Sequence, residues 1–111
     1  AAQTEKAHKE IAEVVDQVAK ETGKEYLFIS RSDSTLRGHY PLETTILKDE
    51  YEKNTGKKID GEVLCPFFKE GGRFTIDDVH YVQYDDTLVP AAETEFAKDK
   101  VWEESKAPFD N

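Results

Sequence analysis

The chain has 111 residues, of which 37% are hydrophobic and 35% are charged, so we expect one domain over residues 1–111 with a small core. Its net charge of −9 argues against nucleic acid and against an anionic membrane surface as partners. The single cysteine, Cys65, excludes an intrachain disulfide, and the polar N-terminus lacks a signal-peptide pattern, so a cytoplasmic location is expected.

The first predicted element is an amphipathic helix near the N-terminus. Thr4 is its predicted N-cap, and Gly23 is its predicted end. Apolar residues recur at helical spacing and predict one apolar stripe: Ala7, Ile11, Val14, Val15, Val18 and Ala19.

A strand–helix–strand unit is predicted next. Residues 26–29 and 63–65 are short apolar runs, and apolar side chains on both faces favour buried strands. Between them a helix is predicted from Pro41 to Gly56, with an inner face of Leu42, Ile46, Leu47 and Tyr51. This order predicts two parallel strands joined by a right-handed crossover.

The pattern changes after Pro66. Residues 79–84 and 87–89 flank the turn-forming pair Asp85-Asp86 and predict a β-hairpin, and residues 94–98 predict a short helix. The whole chain therefore predicts a three-layer α/β domain with a short, mainly parallel sheet, flanking helices and an appended β-hairpin.

The loop between the first predicted strand and the second helix carries the densest set of polar groups. Asp33 can accept hydrogen bonds or act as a general base, and Arg37 offers a planar fork for a carboxylate or phosphate. The other candidate ligand-binding residues of the loop are Ser34, Thr35, Gly38 and His39. A structural interpretation stays open, in which Asp33 and Ser34 cap backbone groups and Arg37 pairs with a surface carboxylate.

Other reactive side chains give weaker signals. His8, His39 and His80 lack metal-ligand spacing, so no metal site is predicted. The pair Asp77-Asp78 fits a solvated turn better than a cation site, and Trp102 fits a packing anchor.

Residues 33–38 form an unbroken DSTLRG segment, which resembles the signature of the four-carbon acid sugar kinases. Further motifs similar to that family follow in the same order: Cys65-Pro66, Gly72-Arg73, Val79-His80-Tyr81-Val82 and the TEFAKD segment at 94–99. The resemblance covers roughly residues 5–100, within the N-terminal, sugar-binding domain of those kinases.

The resemblance implies a fold, a reaction and site roles. Arg37 would hold the carboxylate of a small sugar acid of the threonate or erythronate type, and Asp33 would orient or deprotonate the accepting hydroxyl. Ser34, Thr35, Gly38 and His39 would complete the substrate cradle. ATP and Mg²⁺ would bind to the family's C-terminal nucleotide-binding domain, which this sequence lacks, so the 111-residue chain alone is expected to be inactive and to carry no cofactor.

Two departures qualify this interpretation. The family's opening strand, with its DD and TGA motifs, has no counterpart here, and His39 stands where asparagine is common in the family. The alternative hypothesis is a non-catalytic binding or interaction module, like the relatives called Hrp-dependent type III effectors. The sequence flanking this chain in its gene would distinguish the two.

Overall fold

The computed structural model describes residues 1–33, 35 and 37–98. In chain order the helices and strands are α1 (Ala2–Thr22), α2 (Leu42–Thr55), β1 (Arg73–Ile76), β2 (Val79–Tyr84) and β3 (Thr87–Pro90). Short 3-10 turns cover Lys69–Gly71, Ala91–Glu93 and Glu95–Lys98. None of the helices among the described residues is long and apolar enough to cross a bilayer.

The chain divides into two compact units. The helical unit comprises Ala1–Arg31 and Pro41–Glu62, and therefore holds α1 and α2. The sheet unit comprises Ser32–Tyr40 and the chain from Val63 onward, and therefore holds the polar loop and all three strands.

The helix ends largely follow the sequence prediction. Gly23 and Gly56 end α1 and α2 in the left-handed conformation, with φ of 67° and 71°, which glycine adopts without a Cβ clash. The predicted N-cap at Thr4 is wrong, because α1 begins earlier, after Ala1. Thr4 lies in the first turn, where its carbonyl is 2.8 Å from Nδ1 of His8.

The buried face of α1 differs from the predicted stripe. Ala12 and Asp16 are its buried residues. Ile11, Val14 and Val18, in contrast, are each more than half exposed. The recurrence of apolar residues every 3.6 positions therefore predicted the helix correctly. The face of α1 that packs against α2, however, lies beside the predicted stripe.

Asp16 is a buried charge that the helical unit satisfies from within. Its two carboxylate oxygens accept from the hydroxyl of Tyr26 at 2.9 Å and from Nζ of Lys20 at 2.7 Å. The Tyr26 ring makes edge-to-face contacts with Phe28 and Tyr51. Burial, and then the hydrogen bond to Asp16, raise the pKa of Tyr26 to about 12, whereas the Lys20 ammonium lowers the pKa of Asp16. The cluster therefore keeps its ionised carboxylate without help from a ligand.

The second helix has the predicted core residues. Ile46, Leu47 and Tyr51 are the buried side chains of α2, whereas Leu42 at its N-terminus is half-buried. The inner face expected from the sequence is thus confirmed for the middle of the helix.

The predicted parallel strands do not form in the described chain. Residues 24–33 and 56–67 have no regular secondary structure. Leu27, Ile29 and Val63 are 70%, 84% and 92% exposed. A strand that is apolar on both faces is stable inside a sheet covered on both sides, and no such sheet is present among the described residues. The described fold is α/β, but its sheet is antiparallel, so the mainly parallel, three-layer prediction was wrong in this respect.

The predicted hairpin is confirmed and extended by one strand. The sheet has the order β1-β2-β3, with the turn at Asp85-Asp86 between β2 and β3. Asp77 and Asp78 form the β1–β2 turn with positive φ at both positions, as a type I′ hairpin turn requires. The short helix expected at 94–98 is a 3-10 turn, Glu95–Lys98.

Strand register assigns four side chains to one face of the sheet. Thr75 pairs with His80, and Arg73 pairs with Val82. Because directly opposed residues share a face and alternate residues along a strand do so too, all four lie on the same side, called here the inner face. His80 and Val82 are only 2% and 3% exposed, so the inner face is covered.

Candidate functional site

Two guanidinium groups of the sheet unit lie against one aromatic ring. The guanidinium carbons of Arg37 and Arg73 lie 5.1 and 5.3 Å from the ring centre of Phe96. Both distances are within the range of a cation–π interaction. We call Asp33, Thr35, Arg37, Arg73 and Phe96 the arginine cluster.

Arg73 reaches the cluster from the first position of β1. The preceding turn uses Gly72 with φ of 68°, and the backbone of Arg73 is bonded in both directions to Phe68 at 2.8 and 2.9 Å. In the side chain, Nη1 donates to the carbonyl of Gly71 and Nε donates to Oγ1 of Thr35 at 2.7 Å. Turn and side-chain bonds together fix the orientation of this guanidinium.

Thr35 has an unfavourable backbone conformation that the arginine cluster maintains. Its φ is 58°, in the left-handed region that β-branched residues rarely adopt, and it is 3% exposed. Such a conformation costs on the order of 1–3 kcal/mol and persists where the surroundings hold it, most often at functional sites. The bond from Arg73 supplies such a constraint to the loop.

Asp33 and Arg37 form an ion pair within the loop itself. Nη2 of Arg37 lies 3.2 Å from Oδ1 of Asp33, and their side chains are 31% and 58% exposed. This pair fits the structural interpretation of the loop, in which Arg37 meets a surface carboxylate. The structural interpretation does not explain why the guanidinium of Arg73 also lies against the ring of Phe96.

Among the described residues, Arg73 lacks a counter-ion of the kind that Arg37 has. Among the described residues, no carboxylate lies within salt-bridge distance of Arg73. The described arginine cluster therefore carries two guanidinium groups and one carboxylate, in a chain whose net charge is −9. A local excess of positive charge of this kind favours a bound anion.

His80 lies on the same inner face as Arg73 and is kept neutral. Its Nδ1 is 3.1 Å from Oγ1 of Thr75, while its buried Nε2 has no hydrogen-bond partner in the described part of the chain. Burial, and then the Arg73 guanidinium, lower the pKa of His80, against an opposing contribution from the Phe74 carbonyl. The imidazole consequently adds no third positive charge at neutral pH.

The structure places the sequence-predicted site residues differently. It brings Asp33, Thr35 and Arg37 together, and it buries Gly38, whose carbonyl accepts from the amide of Tyr40 at 3.0 Å. His39 is half-buried. Ser34 lies outside the described residues, as do the motif residues Leu36 and Asp99 and the predicted anchor Trp102.

Sequence reasoning did not select Arg73 and Phe96 as site residues. Both occurred in motifs quoted for the resemblance, the Gly72-Arg73 turn and the TEFA segment, and that shared membership was the available signal. The strand predicted before this loop does not form in the described chain. Thr35 of the loop instead accepts a hydrogen bond from Arg73, at the first position of β1 in the antiparallel sheet of the same unit.

Comparison with known families gives a match over nearly the whole chain. The sequence matches the family model described as the sugar-binding N-terminal domain over residues 1–106. The chain belongs to the sugar-binding N-terminal domain family. Searches of curated proteins and of solved structures found no match.

Family membership supports a small sugar as the ligand and does not favour the alternative of a non-catalytic interaction module. No group of three or more His, Cys, Asp or Glu side chains that could hold a metal ion occurs within residues 1–33, 35 and 37–98. In this sugar-binding domain, the arginine cluster is the candidate ligand site.

Proposed function

We propose that this chain is the sugar-acid-binding portion of an ATP-dependent kinase that phosphorylates a four-carbon sugar acid of the threonate or erythronate type. The observation that carries the proposal is the Arg37–Asp33 pair beside Phe96 in a sugar-binding domain. A sugar acid offers both a carboxylate for the guanidinium and hydroxyl groups for Asp33.

Each side chain has a distinct role in this proposal. The planar fork of Arg37 binds the carboxylate through two parallel hydrogen bonds. Asp33, which is 58% exposed, accepts the proton of the attacking hydroxyl or orients that hydroxyl. The hydroxyl of Thr35 is buried and accepts from Arg73, which suits a supporting role for Thr35 in shaping the loop. Ser34, Gly38 and His39 complete the cradle in the proposal.

The phosphoryl donor is proposed to be ATP, bound with Mg²⁺ by a C-terminal nucleotide-binding domain of the full-length protein. Phosphoryl transfer depends mainly on positioning and on charge stabilisation. The contribution of this chain is therefore to hold the acceptor hydroxyl in place and to remove its proton.

The test is a phosphotransfer assay on the full-length gene product with ATP and Mg²⁺. The acceptors are threonate, erythronate and the corresponding uncharged polyols, threitol and erythritol. We expect phosphorylated product with at least one acid and much less with the polyols, and no product from the 111-residue chain alone. Efficient phosphorylation of polyols, or no product with either acid, would contradict the proposal.

A further inference from the structure

We infer that Arg73 is a second carboxylate-binding residue of the sugar site and also positions its loop. The inference rests on the proposed function, because it concerns the same ligand. It assigns to β1 a ligand contact, in addition to those of the 33–39 loop.

The positive charge of Arg73 supports the inference. Arg73 is half-buried and, in the part of the chain that the structure describes, has no carboxylate within salt-bridge distance. A guanidinium that is partly removed from water requires compensation, and the ring of Phe96 and two neutral oxygens compensate it only in part. An anionic ligand group would complete the compensation.

The hydrogen bonds of Arg73 leave part of its fork available. Within the described residues, its side chain donates through Nε to Thr35 and through Nη1 to Gly71. Arginine has five N–H donors, so in the described part of the chain the Nη2 donors remain for a ligand. The donors already in use hold the fork in one orientation, which reduces the entropy lost when a ligand binds.

Two cations share one aromatic neighbour. Arg37 and Arg73 come from separate segments, yet both lie against the ring of Phe96. Two cations beside one ring raise the local positive potential, which favours an anionic ligand group there. A carboxylate has two oxygens with about four acceptor positions, so it can accept hydrogen bonds from more than one guanidinium group.

The surrounding groups support this assignment. His80 faces Arg73 from β2, Thr75 lies beside it on β1, and Asp33 lies in the loop segment of the same unit. Because His80 is neutral, Arg73 is the charged member of the four side chains that form the inner face.

The experiment measures binding to the full-length gene product by isothermal titration calorimetry. The probes are threonate, threitol and inorganic phosphate, and the variants are R73A, R73K and R37A. R31A is the matched control, because Arg31 is an exposed arginine of the helical unit. Circular dichroism and thermal melting establish that each variant is folded.

We expect R73A to weaken threonate binding by about 10- to 100-fold, the loss of a hydrogen bond to a charged group, whereas threitol, which lacks the carboxylate and senses only the loop, loses much less affinity. R73K should recover part of the loss because it keeps the charge but not the fork. R31A should bind as the wild type does. If R73A does not fold, a loss of threonate affinity in R73K, with threitol affinity kept, carries the same conclusion.

A further variant, T35V, separates ligand binding from loop positioning. It removes the hydroxyl that Arg73 holds and leaves the guanidinium. If T35V and R73A weaken threonate and threitol equally, Arg73 acts through the loop alone and the inference is wrong. Phosphate affinity equal to that of threonate would also overturn it, since the site would then bind any oxyanion.

The two proposals fail in different ways. If the wild-type protein binds neither threonate nor erythronate, the proposed function is wrong. If R37A loses threonate affinity and both Arg73 variants retain it, the proposed function stands and the inference on Arg73 is wrong.

Discussion

Asp16 in the helical unit and Arg73 in the sheet unit are both ionised groups drawn out of solvent, and the protein treats them differently. Asp16 is 7% exposed and receives hydrogen bonds from Lys20 and Tyr26, which satisfy both carboxylate oxygens. Arg73 donates to two neutral oxygens and has no carboxylate partner among the described residues.

In our proposal, this difference separates a structural charge, Asp16, from a ligand-binding charge, Arg73. Removing a buried charge that other groups of the protein compensate lowers stability, because its partners are left uncompensated. A charge that is held in place but compensated only in part can gain from a bound ion of opposite sign. The comparison therefore predicts that changes around Asp16 alter stability, whereas changes in the arginine cluster alter ligand binding and turnover.

The largest expected effect follows from changing Asp33 to asparagine in the full-length protein. The substitution preserves shape and removes the proton acceptor, so kcat should fall by roughly 10²- to 10⁴-fold, with a smaller change in substrate affinity. Steady-state kinetics with threonate measure both quantities. A near-normal kcat would show that Asp33 is a ligand or a cap and not the base.

The next effect is on substrate affinity. Changing Arg37 to alanine should weaken sugar-acid binding by about 10- to 100-fold, because a hydrogen bond to a charged group contributes roughly 1.5–3 kcal/mol. Lysine should restore only part of the affinity, since it lacks the planar fork. The melting temperature should change little, and a large drop would indicate a structural role for Arg37 instead.

Changing Asp16 to alanine tests the other side of the comparison. Lys20 and Tyr26 lose their shared acceptor, so the melting temperature should fall by about 4–8 °C. Changing Tyr26 to phenylalanine removes one of the two bonds and should lower it less. Threonate affinity should stay unchanged in both variants, and a loss of affinity without a loss of stability would contradict the division between the two clusters.

A smaller effect concerns the pH dependence of stability. The pKa of His80 is lowered in the folded protein, so below the ordinary histidine value of 6.5 the unfolded chain takes up a proton that the folded chain resists. The free energy of unfolding should therefore decrease as the pH falls below about 6.5 and be fully retained above that value.

Urea unfolding at several pH values between 5 and 8 measures this slope. The H80N variant should lose the His80 part of the slope, and the H8N variant serves as a histidine control that keeps it. Equal slopes in the wild type and H80N would show that His80 does not resist protonation.

Local signals in the sequence predicted local structure well. Gly23 and Gly56 marked both helix ends because a positive φ favours glycine, and Asp85-Asp86 marked the hairpin turn. The parallel strands at 26–29 and 63–65 failed because a strand needs partners, which its own residues do not specify.

The candidate site was predicted in part for the same reason. Asp33, Thr35 and Arg37 are close in sequence, so one dense loop revealed them. Arg73 reaches the cluster from the turn before β1, and Phe96 reaches it from the 3-10 turn Glu95–Lys98. Both residues are far from the loop in sequence, so the spacing of residues along the chain does not predict their contact with it. The sequence alone therefore left open the choice between a capping loop and a ligand-binding loop.

The most direct test of the central claim is the ratio of threonate to threitol affinity, measured by titration calorimetry in the wild type and in the R37A/R73A double variant. If both guanidinium groups bind the carboxylate, the wild-type protein should prefer threonate by at least about tenfold, and the double variant should bind the two compounds with nearly equal, weak affinity. Equal affinities in the wild type, or an undiminished preference in the folded double variant, would contradict the account.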